Sequence, residues 1–299
     1  MRKETITIRS EESDIRIDSL LKSRFPEFSR AYFQYLIEEG FVKQGSAPLK
    51  KRAKFTAGES FDIHFAPSEL PHLEAEPLDL EILYEDSTLI AINKRAGVVV
   101  HPGTGNHRGT LVAGLLHYLG TLPSSDDPLR PGIVHRLDKD TSGVIIAAKT
   151  RESQAKIIDL FKERKIEKTY IAITHSNPKQ FVIDAPIGRH PIKREMMTIR
   201  PLDGKRAITH LDVVTYNHKM AYVVVKPVTG RTHQIRVHLK SINAPIVGDD
   251  LYGIGNEADI PLCLHAHKLQ FVHPMTGNPI VITAPIPQHI EAWGKKLEK

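Results

Sequence analysis

Apolar and polar positions alternate in blocks along the chain, and one block stands apart. Two apolar runs, Ile133-Val134 and Val144-Ile-Ile-Ala-Ala148, enclose Arg136, Asp138, Lys139 and Asp140. The runs read as buried strands, the second apolar on both faces. A turn between buried strands has no need of four charges, although solvated turns do carry charge. The block is therefore either a surface turn or a carboxylate held rigidly by the core at the mouth of a cleft. Asp138 is the candidate for the second role.

The same patterning divides the rest of the chain. Residues 1–65 read as a small module. Ile15, Ile17, Leu20 and Leu21 open a helix that Phe25-Pro26 breaks. Ser29 caps a second helix, Arg30 to Glu39, which Gly40 ends, and Phe61-Asp-Ile-His-Phe65 alternates like a half-buried strand. Residues 66–78 carry three prolines and three glutamates with no basic residue, and read as a linker. Residues 79–299 form the second domain. Strands are expected over 80–84, 88–92, 168–174, 196–200, 207–216 and 221–226, with a last pair ending near Thr283. Leu111, Leu115, Leu116 and Leu119 share a helix face, a longer helix covers about 153–163, and another starts at Thr232. Short turns between the later strands are an antiparallel signature. The fold class is thus α+β, mixed α/β in layering, with a mainly antiparallel sheet in the second domain. The glycines at 103, 105 and 109 do not form G-x-G-x-x-G and no Gly-Lys-Ser/Thr follows, which excludes dinucleotide and P-loop readings.

Composition narrows the function classes. The chain has 299 residues, 40% hydrophobic and 25% charged, enough for a sizeable core. No apolar run approaches the ~20 residues of a membrane span, and the N-terminus lacks the apolar middle of a signal peptide. The single cysteine, Cys263, excludes an intrachain disulfide and a multi-Cys zinc site, and suits a reducing cytoplasm. A cytoplasmic protein without a membrane partner is expected. Net charge +6 fits a polyanionic partner. Lys50, Lys51, Arg52 and Lys54 concentrate that charge, either as a phosphate contact or as a solvated face. His265 and His267 have metal-ligand spacing, but no third ligand is placed beside them, so no metal is expected.

Two resemblances extend this reading. Arg16-Ile-Asp18, Ser29-Arg30, Gln34-Tyr-Leu-Ile-Glu-Glu-Gly40 and the Gly58-Glu59 turn resemble the S-four-type RNA-binding domain over residues 14–65. The chain departs at Lys43-Gln44-Gly45, where members often have Val-Asn-Gly, and at Gly58-Glu59, where many have Gly-Asp. That likeness implies phosphate contacts from Arg30, Lys50, Lys51, Arg52 and Lys54. From Leu80 to Pro287 the chain resembles the RluA family of pseudouridine synthases, in its RluD-like branch. The carriers are His101-Pro-Gly-x-Gly-Asn106, Gly132 to Lys149, Lys168-x-Tyr170, Ala185-Pro-Ile-Gly-Arg-His190, Gly204-Lys205, Thr229 to His238, Gly248-Asp249, Leu264-His265-Ala266 and His273-Pro274.

The resemblance implies isomerisation of uridine in RNA, with bacterial large-subunit ribosomal RNA as substrate and no DNA. The aspartate of His-Arg-Leu-Asp, Asp138, then acts on the substrate as nucleophile or base. The arginine of Gln-Ile-Arg, Arg236, keeps it ionised from within charge-assisted hydrogen-bond reach, with Arg231 the nearby competitor. Tyr170 stacks on the uracil and assists proton removal from C5. The target nucleotide is flipped out. Arg136 enters the RNA near the vacated position, or else pairs with Asp140. His135 orders the loop, and with Arg231 it stands among the RNA-facing residues. Isomerisation has no net redox change, so no cofactor is expected. Nothing calls for a dimer, and a monomer is the expectation. Two other readings fit the same residues: a non-catalytic RNA-binding ribosome assembly factor on this scaffold, and a hydrolase that turns Asp138 on a small glycoside.

Overall fold

The computed structural model describes residues 2–50, 52–66, 73–103, 106, 108–123, 129–255, 257 and 259–297. They fall into two compact units, Met1–Glu74 with Ser124–Pro131, and Ala75–Pro123 with Gly132–Lys299.

The first unit contains β1 (Arg2–Thr7), α1 (Ile17–Arg24), α2 (Arg30–Glu38), β2 (Val42–Gln44), β3 (Ala47–Pro48) and β4 (Ser60–Phe65). The strands form an antiparallel sheet in the order β1-β4-β2-β3. The alternation expected in β4 is present: Phe61, Ile63 and Phe65 point inward and join Ile17, Leu21, Phe33 and Leu36 in one core. The Ser29 hydroxyl accepts the Tyr32 N–H at 3.0 Å and starts α2, as the sequence predicts. Strand β1 was not predicted. It is an edge strand with only Ile6 buried, so its polar sequence carries no period-two signal.

The expected linker falls partly on residues 67–72, outside the described residues. At its start Ala66 is buried, and its carbonyl accepts the Tyr32 hydroxyl at 2.8 Å. At its end the Glu76 N–H donates to the Ala113 carbonyl, and Leu78 packs so closely that a Cβ on Gly114 would meet it at 2.6 Å.

The second unit contains β5 (Ile82–Glu85), β6 (Leu89–Lys94), α3 (Leu111–Leu119), β7 (Ser142–Ala148), α4 (Arg151–Lys162), β8 (Glu167–Thr174), β9 (Val182–Asp184), β10 (Ile187–Arg189), β11 (Met197–Ile199), β12 (Ile208–Tyr216), β13 (Ala221–Pro227), α5 (Gln234–Ser241), β14 (Leu264–Val272), β15 (Pro279–Thr283) and α6 (Gln288–Leu297). A nine-stranded sheet runs β5-β6-β7-β14-β8-β13-β12-β9, with β15 also paired to β14. Every pairing is antiparallel except β7 with β14. Strand β11, expected over 196–200, leaves this sheet and pairs with β10 as a separate ribbon. Helix α6 was not predicted, because it buries only Ile290 and Leu297 and carries a central glycine, leaving little periodic signal. Helix α5 begins two residues later than expected, since His233 adopts a left-handed conformation, φ 53°.

Candidate active site

The charged block lies in the second unit. All seven residues of β7 are buried. Gly143 has φ +113° and lies against β14 so tightly that a Cβ there would stand 2.2 Å from the Ala266 carbonyl oxygen. The glycine is what allows β7 and β14 to pair in parallel at that point. Upstream, Leu137 is buried in the core formed with Ile90, Ile92 and Ile145. Between Leu137 and β7 the Asp138 side chain emerges, 17% exposed, into a cleft of about 450 Å³.

The loop is tied down from behind. The Lys94 ammonium, 1% exposed, donates to the carbonyls of Arg95, Val98 and Lys139 at 2.9, 2.9 and 2.8 Å. Burial lowers its pKa to about 8, against the pull of Asp140 and Asp138. The His135 ring packs on Phe161 with centroids 4.6 Å apart, and its Nε2 accepts the Ile146 N–H at 2.9 Å. Burial, helped by the Lys168 charge, brings this imidazole down to about 3, so it stays neutral. His135 lines the cleft, but its acceptor nitrogen is spent on holding the loop to β7.

Helix α5 supplies the countercharge. Gln234 donates to the Ile208 carbonyl and accepts from the Thr229 hydroxyl, and His238 bonds Thr209 and the Ala185 carbonyl, so the helix is riveted to β12. Arg236, whose side chain is 4% exposed, gives Nε and Nη2 to Asp249 at 2.8 and 2.6 Å, and Nη2 also reaches Asp250 at 3.2 Å. Its Nη1 stands 3.9 Å from Asp138 Oδ2. The pair is therefore an ion pair longer than the hydrogen bond expected from sequence. The reason is Asp249: buried and fixed by the N–H groups of Leu251 and Tyr252, it takes the guanidinium's better-aligned edge. Burial opposes the arginine's charge, and the Asp249 hydrogen bonds and charge outweigh it, so its pKa is raised.

Arg231 does not occupy that place. Its Nε donates to the Arg206 carbonyl at 3.1 Å, and its side chain lines the cleft wall. Tyr170, on β8, lines the same cleft as Asp138. Burial, with the Asp138 charge beside it, raises its phenol pKa far above the ordinary value, so the hydroxyl keeps its proton. Arg136 is exposed at the cleft, and among the described residues it forms no ion pair with Asp140. In the sequence Lys168 stands only as part of the Lys168-x-Tyr170 motif. It is a cleft residue whose ammonium reaches the Thr229 carbonyl at 3.3 Å, with burial, and then Arg164, lowering its pKa to about 8.

The other sequence candidates lie elsewhere. In the first unit, Arg30 and Arg16 both clasp the buried Asp18 carboxylate, joined by Gln34, yet their side chains stay 45% and 39% exposed. Lys50, Arg52 and Lys54 are exposed, and Lys51 lies outside the described residues. His265 Nδ1 pairs with the Ser142 hydroxyl at 2.8 Å, and His267 Nδ1 with the Ala284 carbonyl at 2.9 Å. No group of three His, Cys, Asp or Glu among the described residues is arranged to hold a metal ion.

One carboxylate, a locked arginine, a tyrosine and several cations thus share one cleft beside a mainly antiparallel sheet, an arrangement suited to a polyanionic substrate. The comparisons with known proteins narrow that reading. The RNA pseudouridylate synthase family matches residues 88–241. The chain is 37% identical over 297 residues to the uncharacterized RNA pseudouridine synthase YlyB of Bacillus subtilis, covering 98% of each. It is 37% identical to ribosomal large subunit pseudouridine synthase D of Escherichia coli K12, over 95% of this chain and 91% of that one. Among solved structures, human RNA pseudouridylate synthase domain containing 4 aligns at TM-score 0.58 and 26% identity, over 73% of this chain and 93% of that one. The chain belongs to the RNA pseudouridylate synthase family. It is an RNA pseudouridine synthase, an isomerase.

Proposed function

We propose that this enzyme isomerises uridines of bacterial large-subunit ribosomal RNA, with Asp138 as the group that acts on the substrate. The observation that carries this reading is the Asp138 carboxylate standing partly exposed in the cleft, 3.9 Å from a guanidinium that Asp249 already orients. A fixed cation at that distance stabilises the charge of a carboxylate. Arg236 stabilises it, and Tyr170 offers an aromatic face and a retained proton to the base. Arg136 and Arg231 meet the RNA at the rim. Lys168, at the same cleft, adds a cation for the phosphates. The relatives named for large-subunit pseudouridine synthase D support the substrate.

The first unit serves as an S-four-type RNA-binding domain. Its support is the pair of exposed guanidiniums, Arg16 and Arg30, splayed on one buried carboxylate, near the exposed Lys50, Arg52 and Lys54. Two cations on a fixed base present their charge without losing side-chain freedom on binding. The enzyme acts as a monomer in the cytoplasm, where its substrate is made. No helix among the described residues is long and apolar enough to cross a membrane.

The test is Asp138→Asn. The variant binds RNA as the wild type does and forms no pseudouridine. Product from that variant would sink the assignment, and intact cellular function without product would favour the assembly-factor reading.

A further inference from the structure

His233 carries structural effort that the reaction as described leaves unused. It is not a glycine, yet it sits at φ 53° immediately before α5, a conformation that costs free energy. Its ring explains why the cost is borne. Nδ1 stands 2.8 Å from the Tyr252 hydroxyl, with the two rings edge to face at 5.6 Å. The imidazole lines the cleft that holds Asp138. Tyr252 is itself held on several sides: it is 4% exposed, its N–H donates to Asp249, and the Arg236 guanidinium lies over its ring at 5.1 Å.

The hydrogen bonds also set the proton positions. Tyr252 Oη accepts the Met197 N–H at 2.7 Å, so one of its lone pairs is taken. The phenol's own proton has His233 Nδ1 as its partner at 2.8 Å. Nδ1 is then an acceptor, and the ring's hydrogen is on Nε2. Burial lowers the imidazole's pKa, against the Asp138 charge, and favours this neutral form.

We propose that His233 is a uracil-reading residue, donating from Nε2–H to an exocyclic carbonyl of the flipped base, and that Tyr252 is the positioning residue that fixes its tautomer and aim. This rests on the reading of the cleft given above. The chemistry makes one such donor sufficient for both halves of the reaction. The C1′–N1 bond breaks and the C1′–C5 bond forms, while C5 loses a proton and N1 gains one. Turning the ring about its N3–C6 axis exchanges N1 with C5, and with them O2 with O4. Whichever carbonyl His233 meets in the substrate, the other takes its place in the product. Cytosine presents an amino donor in one of the two orientations, where donor would face donor. His233 therefore contributes to the choice of uridine.

The test uses the full-length enzyme and a large-subunit ribosomal RNA transcript, following pseudouridine at the position the wild type modifies. His233→Ala lowers kcat/KM about tenfold, the worth of one neutral hydrogen bond. His233→Gln, which keeps an N–H donor, recovers most of it, and Tyr252→Phe falls between. A transcript with 4-thiouridine at the target, a poorer acceptor, slows the wild type and leaves the rate of His233→Ala unchanged. If His233→Ala does not fold, Tyr252→Phe takes its place in that comparison and shows a reduced sulfur penalty. A sulfur penalty as large in the variant as in the wild type, or a Gln variant as slow as Ala, would overturn the proposal. Asp138→Asn run in parallel separates the two readings: product from it refutes the role of the carboxylate while the His233 comparison still reads out.

Discussion

Arg236 gives two nitrogens to Asp249 and turns a third toward Asp138 at 3.9 Å. The guanidinium is thus oriented by a buried carboxylate that does not line the cleft, which leaves Asp138 electrostatically supported but without a direct hydrogen bond from Arg236. Asp249→Asn is expected to lower kcat about 100-fold with little change in KM, since it misplaces the cation without removing it. Single-turnover pseudouridine formation measures this. A rate within twofold of wild type would show that the Asp138 contact alone suffices to place the arginine.

Lys94 closes the back of the reactive loop through three carbonyls. Lys94→Met leaves those carbonyls without a donor and is expected to cost about 3 kcal/mol or more. The pH dependence has a definite sign. The native lysine titrates near 8, below its unfolded value of 10.5, so between these limits the unfolded chain holds the extra proton and rising pH favours the fold. The variant lacks this contribution. Denaturant titrations at pH 7.5, 9 and 10 should show the stability gap between wild type and variant widening as pH rises. A constant or narrowing gap would contradict a depressed Lys94.

His135 and His265 act at the acid end. Both are held neutral by burial, at about 3 and about 4, below the ordinary 6.5. Their folded values are depressed, so the unfolded state takes up protons first as pH falls below 6.5 and the protein loses stability on the way to 4. His135→Asn is expected to reduce that slope, read from melting temperatures at pH 7, 6 and 5. An unchanged slope would place the acid sensitivity in other groups.

Burial and the Asp138 charge hold the Tyr170 phenol above its ordinary value, so the proposed role is that of a phenol and not of a phenolate. The wild-type rate, normalised to Tyr170→Phe at each pH, should stay flat from pH 7 to 9.5. The Phe variant should itself fall about 100-fold if the hydroxyl relays the C5 proton. A normalised rate that climbs tenfold per pH unit would reveal a phenolate base.

Much of this arrangement was legible in the order of residues because the chain packs it locally. The apolar stretch after Gly143 announces β7, and the four charges before it announce the loop. Asp138, Tyr170 and Arg236 were named from their motifs, and they line one cleft although almost a hundred residues separate the first and last. What was not legible depends on partners brought together by the fold. Asp249 reads as one half of a polar Asp-Asp turn until α5 is laid beside it. Lys94 reads as a solvated lysine at a strand end until three carbonyls converge on it. His233 offered no signal for its left-handed backbone, which a Tyr252 nineteen positions away sustains. The edge strand β1 and the helix α6 were missed because each buries too little apolar surface to leave a period.

The tight passage of β7 over β14 at Gly143 also governs how the reactive loop can breathe. Backbone groups there exchange with solvent only when the central strands separate, an event that approaches global unfolding in its free energy. Amide exchange at Ile145 and Ile146 should accordingly be among the slowest in the chain, whereas the β10–β11 ribbon, which lies off the main sheet, should exchange by local opening. On the proposed reading, the carboxylate is carried at the edge of the buried central strands, where local opening costs most.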